Sequence, residues 1–118
     1  MNIEELHDYC LTIKGSKESF PFDEFTLVFK VYDKMFALIP LDSVELRVAL
    51  KCDSQKAEEL REKYSCVEPA HHFNKKYWNS IYLNRGMSDE EIKFWIRHSV
   101  GEVVKKLPKR IQNEYYQN

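Results

Sequence analysis

Residues 25–40 are FTLVFKVYDKMFALIP, and this stretch decides the fold. Large apolar residues recur at every second position from Phe25 to Val31, which is the period of a β-strand. A second apolar run follows after a polar break at Asp33-Lys34. Two β-rich runs around a short polar break predict a β-hairpin.

Helices and further strands are predicted on both sides of this hairpin. Upstream, an apolar stripe over residues 3–13 predicts a helix that Asn2 and Glu5 open with a capping box. Near the C-terminus, Ser88 begins a second capping box, ahead of an apolar helical stripe that Pro108 should interrupt. Between them lie the hairpin, a third strand with Val44, Leu46, Val48 and Leu50 inward, a helix capped by Asp53 or Ser54, and strands near 67–73 and 77–83.

The resulting order, α-β-β-β-α-β-β-α, is typical of an α+β fold. It favours an antiparallel sheet of about five strands with the helices on one face, as a two-layer sandwich. The length of 118 residues, without a linker or repeat, predicts a single domain over residues 1–118. Truncation of a core Trp95 to Ala should cost about 3–5 kcal/mol. Trp78 should be partly buried, and the residues expected to be mostly buried are Ile3, Leu6, Ile13, Trp95, Ile96 and Val103.

The charge of the chain is unevenly distributed. Formal net charge is −1, yet residues 1–59 carry twelve acids and seven bases, whereas residues 60–118 carry seven acids and eleven bases. This asymmetry permits a basic patch on a nearly neutral protein, although solvated faces that happen to separate would give the same pattern.

Several classes of protein are disfavoured by what the sequence lacks. The longest apolar run, residues 35–40, is far below the roughly 20 residues of a membrane span, and the acidic N-terminus does not resemble a signal peptide. The three cysteines form no C-x-x-C pair, so neither a disulfide framework nor a zinc knuckle is indicated. We therefore expect a cytoplasmic protein without a membrane partner, and a monomer is the favoured state.

No arrangement of residues indicates catalysis or a cofactor. There is no nucleophile elbow and no phosphate-binding glycine loop, so we expect no enzymatic activity. The histidines, among them His71-His72, show no metal-ligand spacing. Clustered acids at Glu4, Glu5 and Asp8 could bind a hard cation weakly, or could simply be a solvated helix face that complements the N-terminal dipole.

The densest motif is HHFNKKYWN at residues 71–79. Its lysines could contact phosphates, its amides could reach base edges, and its rings could stack on bases. Alternatively, Tyr77 or Trp78 packs in the core while Lys75 and Lys76 form a solvated turn. Composition alone leaves both interpretations open.

At this motif the sequence resembles the MmcQ/YjbR family. The resemblance implies a CyaY-like (frataxin-like) fold and the family's description as predicted DNA-binding proteins with a double wing. Tyr32-Asp33 stand where the family usually has turn glycines. The matching motifs occur in order: FKV at 29–31, KMFAL at 34–38, LKCD at 50–53, AEELR at 57–61, HFNKKYWN at 72–79, SDEEI at 88–92, HS at 98–99 and KLP at 106–108.

Sequence-tolerant DNA binding is therefore the first functional hypothesis. The alternatives are a protein-interaction or regulatory domain, and weak carboxylate-type metal binding as in frataxin-like folds. Neither a cofactor nor a dedicated metal site is expected. The candidate DNA-contacting residues are Lys51, Asn74, Lys75, Lys76, Tyr77, Asn79, Arg85, Lys105, Lys106, Lys109 and Arg110.

Overall fold

A computed structural model describes residues 1–117 and places them in one antiparallel sheet with helices against it. The six strands of this part of the chain run in the order β1-β2-β3-β4-β6-β5. The elements are α1 (Ile3–Thr12), β1 (Lys17–Ser19), β2 (Thr26–Val31), β3 (Lys34–Pro40), β4 (Arg47–Lys51), α2 (Ser54–Lys63), β5 (Val67–Pro69), β6 (Trp78–Tyr82), α3 (Asp89–Val104) and α4 (Lys109–Tyr116).

The predicted α+β class and antiparallel sheet are confirmed, with one strand more than expected. That strand, β1, has only three residues, too few for an alternating pattern to be visible in the sequence. Pro108 does interrupt the last helix, as predicted, and then serves as the N-cap of α4. No helix within residues 1–117 is both long and apolar enough to cross a membrane.

The β2–β3 turn lies one residue earlier than the predicted break. Tyr32 and Asp33 adopt φ of 50° and 61°, the left-handed backbone that a tight hairpin turn requires and that glycine adopts most easily. The Tyr32 ring also packs edge-on against Tyr115 of α4, with centroids 5.9 Å apart. This contact with α4 helps to keep Tyr32 in the left-handed conformation, for which tyrosine has no intrinsic preference.

All four helices pack on one face of the sheet in a single apolar core. Leu6, Ile96 and Val103 are buried there as predicted, while Ile13 is partly buried. Ile3 was wrongly assigned to the core, because it is 36% exposed and lines a surface cavity with Phe20 and Leu41.

The predicted inward face of the third strand was wrong at Val44. The strand begins at Arg47, and Val44 lies in the preceding loop with its side chain fully exposed. Apolar residues continue to alternate in this loop, but no neighbouring strand is present there to bury Val44. Val48 and Leu50, which are within β4, are buried.

Trp95 packs against the edge of the core and is only partly buried. Its indole nitrogen donates to Glu91 Oε2 at 3.3 Å, and its ring lies against Phe94 and His98. We therefore expect Trp95→Ala to lower the unfolding free energy by about 2 kcal/mol, less than the ~3–5 kcal/mol of a fully buried tryptophan. Urea denaturation followed by circular dichroism measures this. A loss as large as that of Ile96→Ala, at a fully buried site, would contradict the partial burial.

Candidate nucleic-acid interface

The junction between β4 and α2 is held from three directions. The backbone N–H of Lys51 donates to Ser99 Oγ of α3 at 2.9 Å, and that of Asp53 donates to His98 Nε2 at 3.2 Å. Between them, Cys52 N donates to the carbonyl oxygen of Tyr77 at 2.7 Å. These bonds fix the junction against both α3 and the segment that precedes β6.

Lys51 projects from this junction into a group of like charges. Burial lowers the pKa of Lys51, and the nearby ammonium groups of Lys106, Lys105 and Lys34 lower this pKa further. The carboxylate of Glu102 raises the pKa of Lys51 and so acts against the lysines. Glu102 also forms an ion pair with Lys105 at 2.8 Å. Three lysines from β3 and the end of α3 thus lie close enough to Lys51 of β4 to disfavour its charged form.

Tyr77 links this group to the segment before β6. Its ring is 37% exposed, and the Lys76 Nζ lies 5.6 Å from the ring centroid. Tyr77 is also near enough to Lys105 to affect that residue's pKa, although the raised pKa of Lys105 is due mainly to Glu102. We name Lys34, Lys51, Lys76, Tyr77, Lys105 and Lys106 the basic band.

The loop before β6 presents Lys75 and Lys76 through its own hydrogen bonds. Asn74 Oδ1 accepts from Lys76 N at 3.0 Å, and the Asn74 carbonyl accepts from Tyr77 N and Trp78 N at the same distance. Arg61 of α2 donates to the Lys75 carbonyl at 3.1 Å. The Asn74 side-chain carbonyl therefore shapes the turn, while both lysine side chains are exposed.

Two predicted contact residues do not belong to this surface. Asn79 is 1% exposed and its amide nitrogen donates to the Ala57 carbonyl at 3.1 Å, so it fastens β6 to α2. Arg85 follows β6 at the end where Tyr82 pairs with Arg47, whereas Lys51 pairs with Trp78 at the other end. An ion pair with Glu45 at 3.3 Å holds Arg85 there.

Lys109 and Arg110 are exposed in the first turn of α4. They follow Lys105 and Lys106 after the break at Pro108, and sequence proximity alone connects them to the basic band. Sequence reasoning missed Lys34 as a member of the band. The signal was present, because Lys34 begins β3 at the turn, and antiparallel pairing of β3 with β4 brings that end of the strand toward Lys51.

Opposite charges concentrate at opposite ends of the strands. The lysines of the band lie at the end of β4 that holds Lys51, whereas Asp23 and Glu24 precede β2 at the other end. The N-terminus of α1 is also at that other end, because the Met1 amino group binds Asn84 Oδ1 at 2.7 Å just beyond β6. The acidic first turn of α1 is therefore kept away from the band.

His98 adds a pH-dependent contribution at the β4–α2 junction. Burial lowers its pKa, and its Nε2 accepts from Asp53 N only when the ring is neutral. The unfolded chain therefore takes up the proton at a higher pH than the folded protein does. The stabilising contribution is complete above the ordinary value of about 6.5 and is lost as the pH falls below it.

We expect the unfolding free energy to fall between pH 7 and pH 5 more in the wild type than in His98→Gln. Glutamine keeps an acceptor for Asp53 N but does not titrate. Urea denaturation at several pH values gives the comparison. Glu18 raises the pKa of the half-buried His7, so protonation of His7 changes the unfolding free energy in the opposite direction. This contribution is the same in both proteins and cancels in the difference. Parallel pH profiles for the two proteins would contradict this role of His98.

Neither a disulfide nor a metal cluster is found among residues 1–117. Cys10, Cys52 and Cys66 are buried and unpaired, and burial raises the pKa of Cys10 and of Cys52 to about 12. No group of three or more His, Cys, Asp or Glu side chains in this range is placed to hold a metal ion. Within α1, the Glu5 carboxylate accepts from Asn2 N in the predicted capping box.

These features define a class of protein: an α+β domain with an antiparallel sheet, helices on one face, and a lysine-rich surface at one end of the strands. The chain belongs to the YjbR family, whose model matches residues 11–99. It is 33% identical to the uncharacterized protein YjbR of Escherichia coli K12. The alignment spans 108 residues and covers 92% of each chain. It is also 36% identical to the uncharacterized protein YbdF of Escherichia coli O157:H7, over 95% of each chain.

Solved structures share this fold. A Deinococcus radiodurans protein with a DUF419 domain aligns with a TM-score of 0.89 at 35% identity, over 97% of this chain and 87% of the other. A Pseudomonas syringae protein aligns with a TM-score of 0.75 at 26% identity, over 87% of this chain and 99% of the other. The likeness extends over nearly the whole sheet and its helices.

Proposed function

We propose that the protein binds duplex DNA through the basic band, mainly by phosphate contacts and with little dependence on base sequence. The observation that carries the proposal is a chain of neighbouring groups: Lys34, Lys105 and Lys106 lie near Lys51, and Tyr77 lies near both Lys105 and Lys76. Bound phosphates would offset the mutual repulsion of these ammonium groups and release counterions from the DNA.

The position of the acidic residues supports the same interface. A protein with net charge −1 can approach DNA only if its acids face away from the contact. Here the acids of α1 and of the segment before β2 lie toward the opposite end of the strands. Acids are also present at this end: Asp33 precedes Lys34, Asp53 lies near Lys105, and Glu102 reduces the number of free cations by pairing with Lys105.

A salt titration of binding to a generic duplex tests the proposal. We expect a Kd of roughly 10⁻⁴–10⁻⁶ M at physiological salt, the range of non-specific binders, and a steep linear fall of log K with log salt. Fluorescence anisotropy with two duplexes of unrelated sequence measures both the slope and the sequence preference. The absence of binding even at low salt would remove DNA as a partner of this surface.

A protein-interaction role is the second candidate, and a separate observation favours it. Phe20, Phe22, Phe25 and Leu41 are each 46–60% exposed near the start of β2 and the end of β3. Leu41 N donates to the Phe25 carbonyl at 2.7 Å, which brings two of these side chains together. Exposed apolar patches are common at protein–protein contacts. If duplex DNA does not bind, this patch becomes the first surface to examine.

A further inference from the structure

The sheet face that carries no helix contains a cavity of about 600 Å³. Two loops form its sides: Phe22-Asp23 from the β1–β2 connection, and residues 71–73 from the β5–β6 connection. The cavity includes His71 and His72, which lie in a turn rather than in the predicted strand. Its volume is within the usual range of small-molecule sites, and the basic band does not contribute to its lining.

The floor of this cavity is apolar and firmly held. Leu38, Ala49 and Ala70 are at most 8% exposed and, with Val28, form a small second core on this face. Phe73 closes one side and packs against Trp78, with ring centroids 5.3 Å apart. Such a floor suits an aromatic or aliphatic body.

The carboxylates of the wall are already engaged by internal donors. Asp23 Oδ1 accepts from the backbone N–H groups of Phe25 and Thr26, at 2.8 and 2.6 Å. Glu68 Oε1 accepts from the Tyr82 hydroxyl at 3.0 Å. Their negative charge is therefore partly compensated within the protein.

The wall also contains a cation, Arg47, whose partners in the part of the chain that the structure describes are uncharged. Arg47 donates to Ser43 Oγ at 3.1 Å and lies 5.9 Å from the Tyr82 ring centroid. No carboxylate within residues 1–117 forms an ion pair with it, and nearby Glu45 pairs with Arg85 instead. A guanidinium presents donors in a planar fork that matches a carboxylate.

We propose that this cavity binds a small carboxylic acid with an apolar body. The guanidinium of Arg47 binds the carboxylate, and the apolar body lies on Leu38, Ala49 and Phe73. The site is independent of the proposed DNA contact, since the band is at the other end of β4. Failure of one proposal therefore leaves the other standing.

The pair 4-phenylbutyrate and 4-phenylbutanamide tests the proposal, because the two probes differ in charge but hardly in shape. In NMR titrations, we expect saturable shifts of the Leu38, Ala49 and Ala70 methyl signals with a Kd on the order of 1 mM for the acid. The amide should bind at least about 10-fold more weakly, since it lacks the charge that Arg47 pairs with.

Two variants separate the ion pair from general effects. Arg47→Gln should weaken binding of the acid about 10-fold and leave the amide unchanged. The matched control is Arg97→Gln, at an exposed position of α3 on the other face of the sheet, and it should change neither. Ala49→Leu should fill the floor and abolish binding of both probes, with the dispersed spectrum showing that the variant folds. Equal binding of acid and amide, an unaltered affinity of Arg47→Gln, or shifts confined to another surface would overturn the proposal.

Discussion

Replacing Lys34, Lys76 and Lys106 with glutamine should lower the affinity for duplex DNA about 100-fold at 0.15 M salt. Each lysine that neutralises a phosphate contributes roughly 0.9 to the slope of log K against log salt. Loss of three such contacts should therefore flatten the slope by nearly three units, and the same counterion arithmetic gives the change in affinity. All three side chains are exposed, so the fold should persist.

Anisotropy titrations at four or more salt concentrations measure both quantities. The matched control removes three exposed cations elsewhere, by the changes Lys63→Gln, Arg85→Gln and Arg97→Gln. It has the same net charge as the test variant, so only the position of the lost charges differs. We expect the control to keep most of the wild-type slope. Equal effects of the two triple variants would show that net charge, and not the basic band, governs binding.

Tyr77 provides a further distinction within the same experiment. Its exposed ring could stack on unpaired bases but has no such partner in an intact duplex. Tyr77→Leu should therefore weaken binding to single-stranded DNA more than binding to the duplex. An equal loss on both would indicate that Tyr77 acts by positioning Lys76 and Lys105.

The sequence predicted well those elements that depend on local periodicity. The hairpin of β2 and β3 and the apolar stripe of α3 have enough residues for their period to be visible. Asn2 forms the predicted capping box and Ser88 caps α3, because capping depends on residues within one turn. The box at Ser88 is incomplete, since the Glu91 carboxylate accepts from the Tyr64 hydroxyl and the Trp95 indole instead. Local rules failed at Ile3 and Val44, because both residues continue the apolar spacing of an element but lie where the core does not bury their side chains.

The candidate site was only partly predictable, because it is a product of tertiary packing. Lys75, Lys76 and Tyr77 could be selected from one dense motif, but the approach of Tyr77 to Lys105 depends on how α3 crosses the sheet. Asn79 is in the same motif and is nevertheless buried, since alternation along β6 turns it toward α2. No single-sequence pattern distinguishes it from the exposed amide nearby.

The second large effect is expected at Ser99, which is fully buried between α3 and the sheet. Its hydroxyl donates to the Phe36 carbonyl of β3 at 2.6 Å and accepts from Lys51 N of β4 at 2.9 Å. Ser99→Ala removes both bonds without removing any apolar contact of note. A buried polar group without a partner costs about 1–3 kcal/mol, so we expect a loss of about 2–5 kcal/mol in unfolding free energy.

Ser16→Ala is the matched control for this prediction, because it deletes the same atom from a buried hydroxyl that has no hydrogen-bond partner within residues 1–117. Its unfolding free energy should be unchanged or slightly increased. Urea denaturation gives both values, and amide hydrogen exchange at Lys51 should become faster only in Ser99→Ala. Equal stabilities of the two variants would mean that Phe36 and Lys51 pair directly once the hydroxyl is gone. The hydroxyl would then be a spacer between β3 and β4, and the position of Lys51 in the basic band would not depend on it.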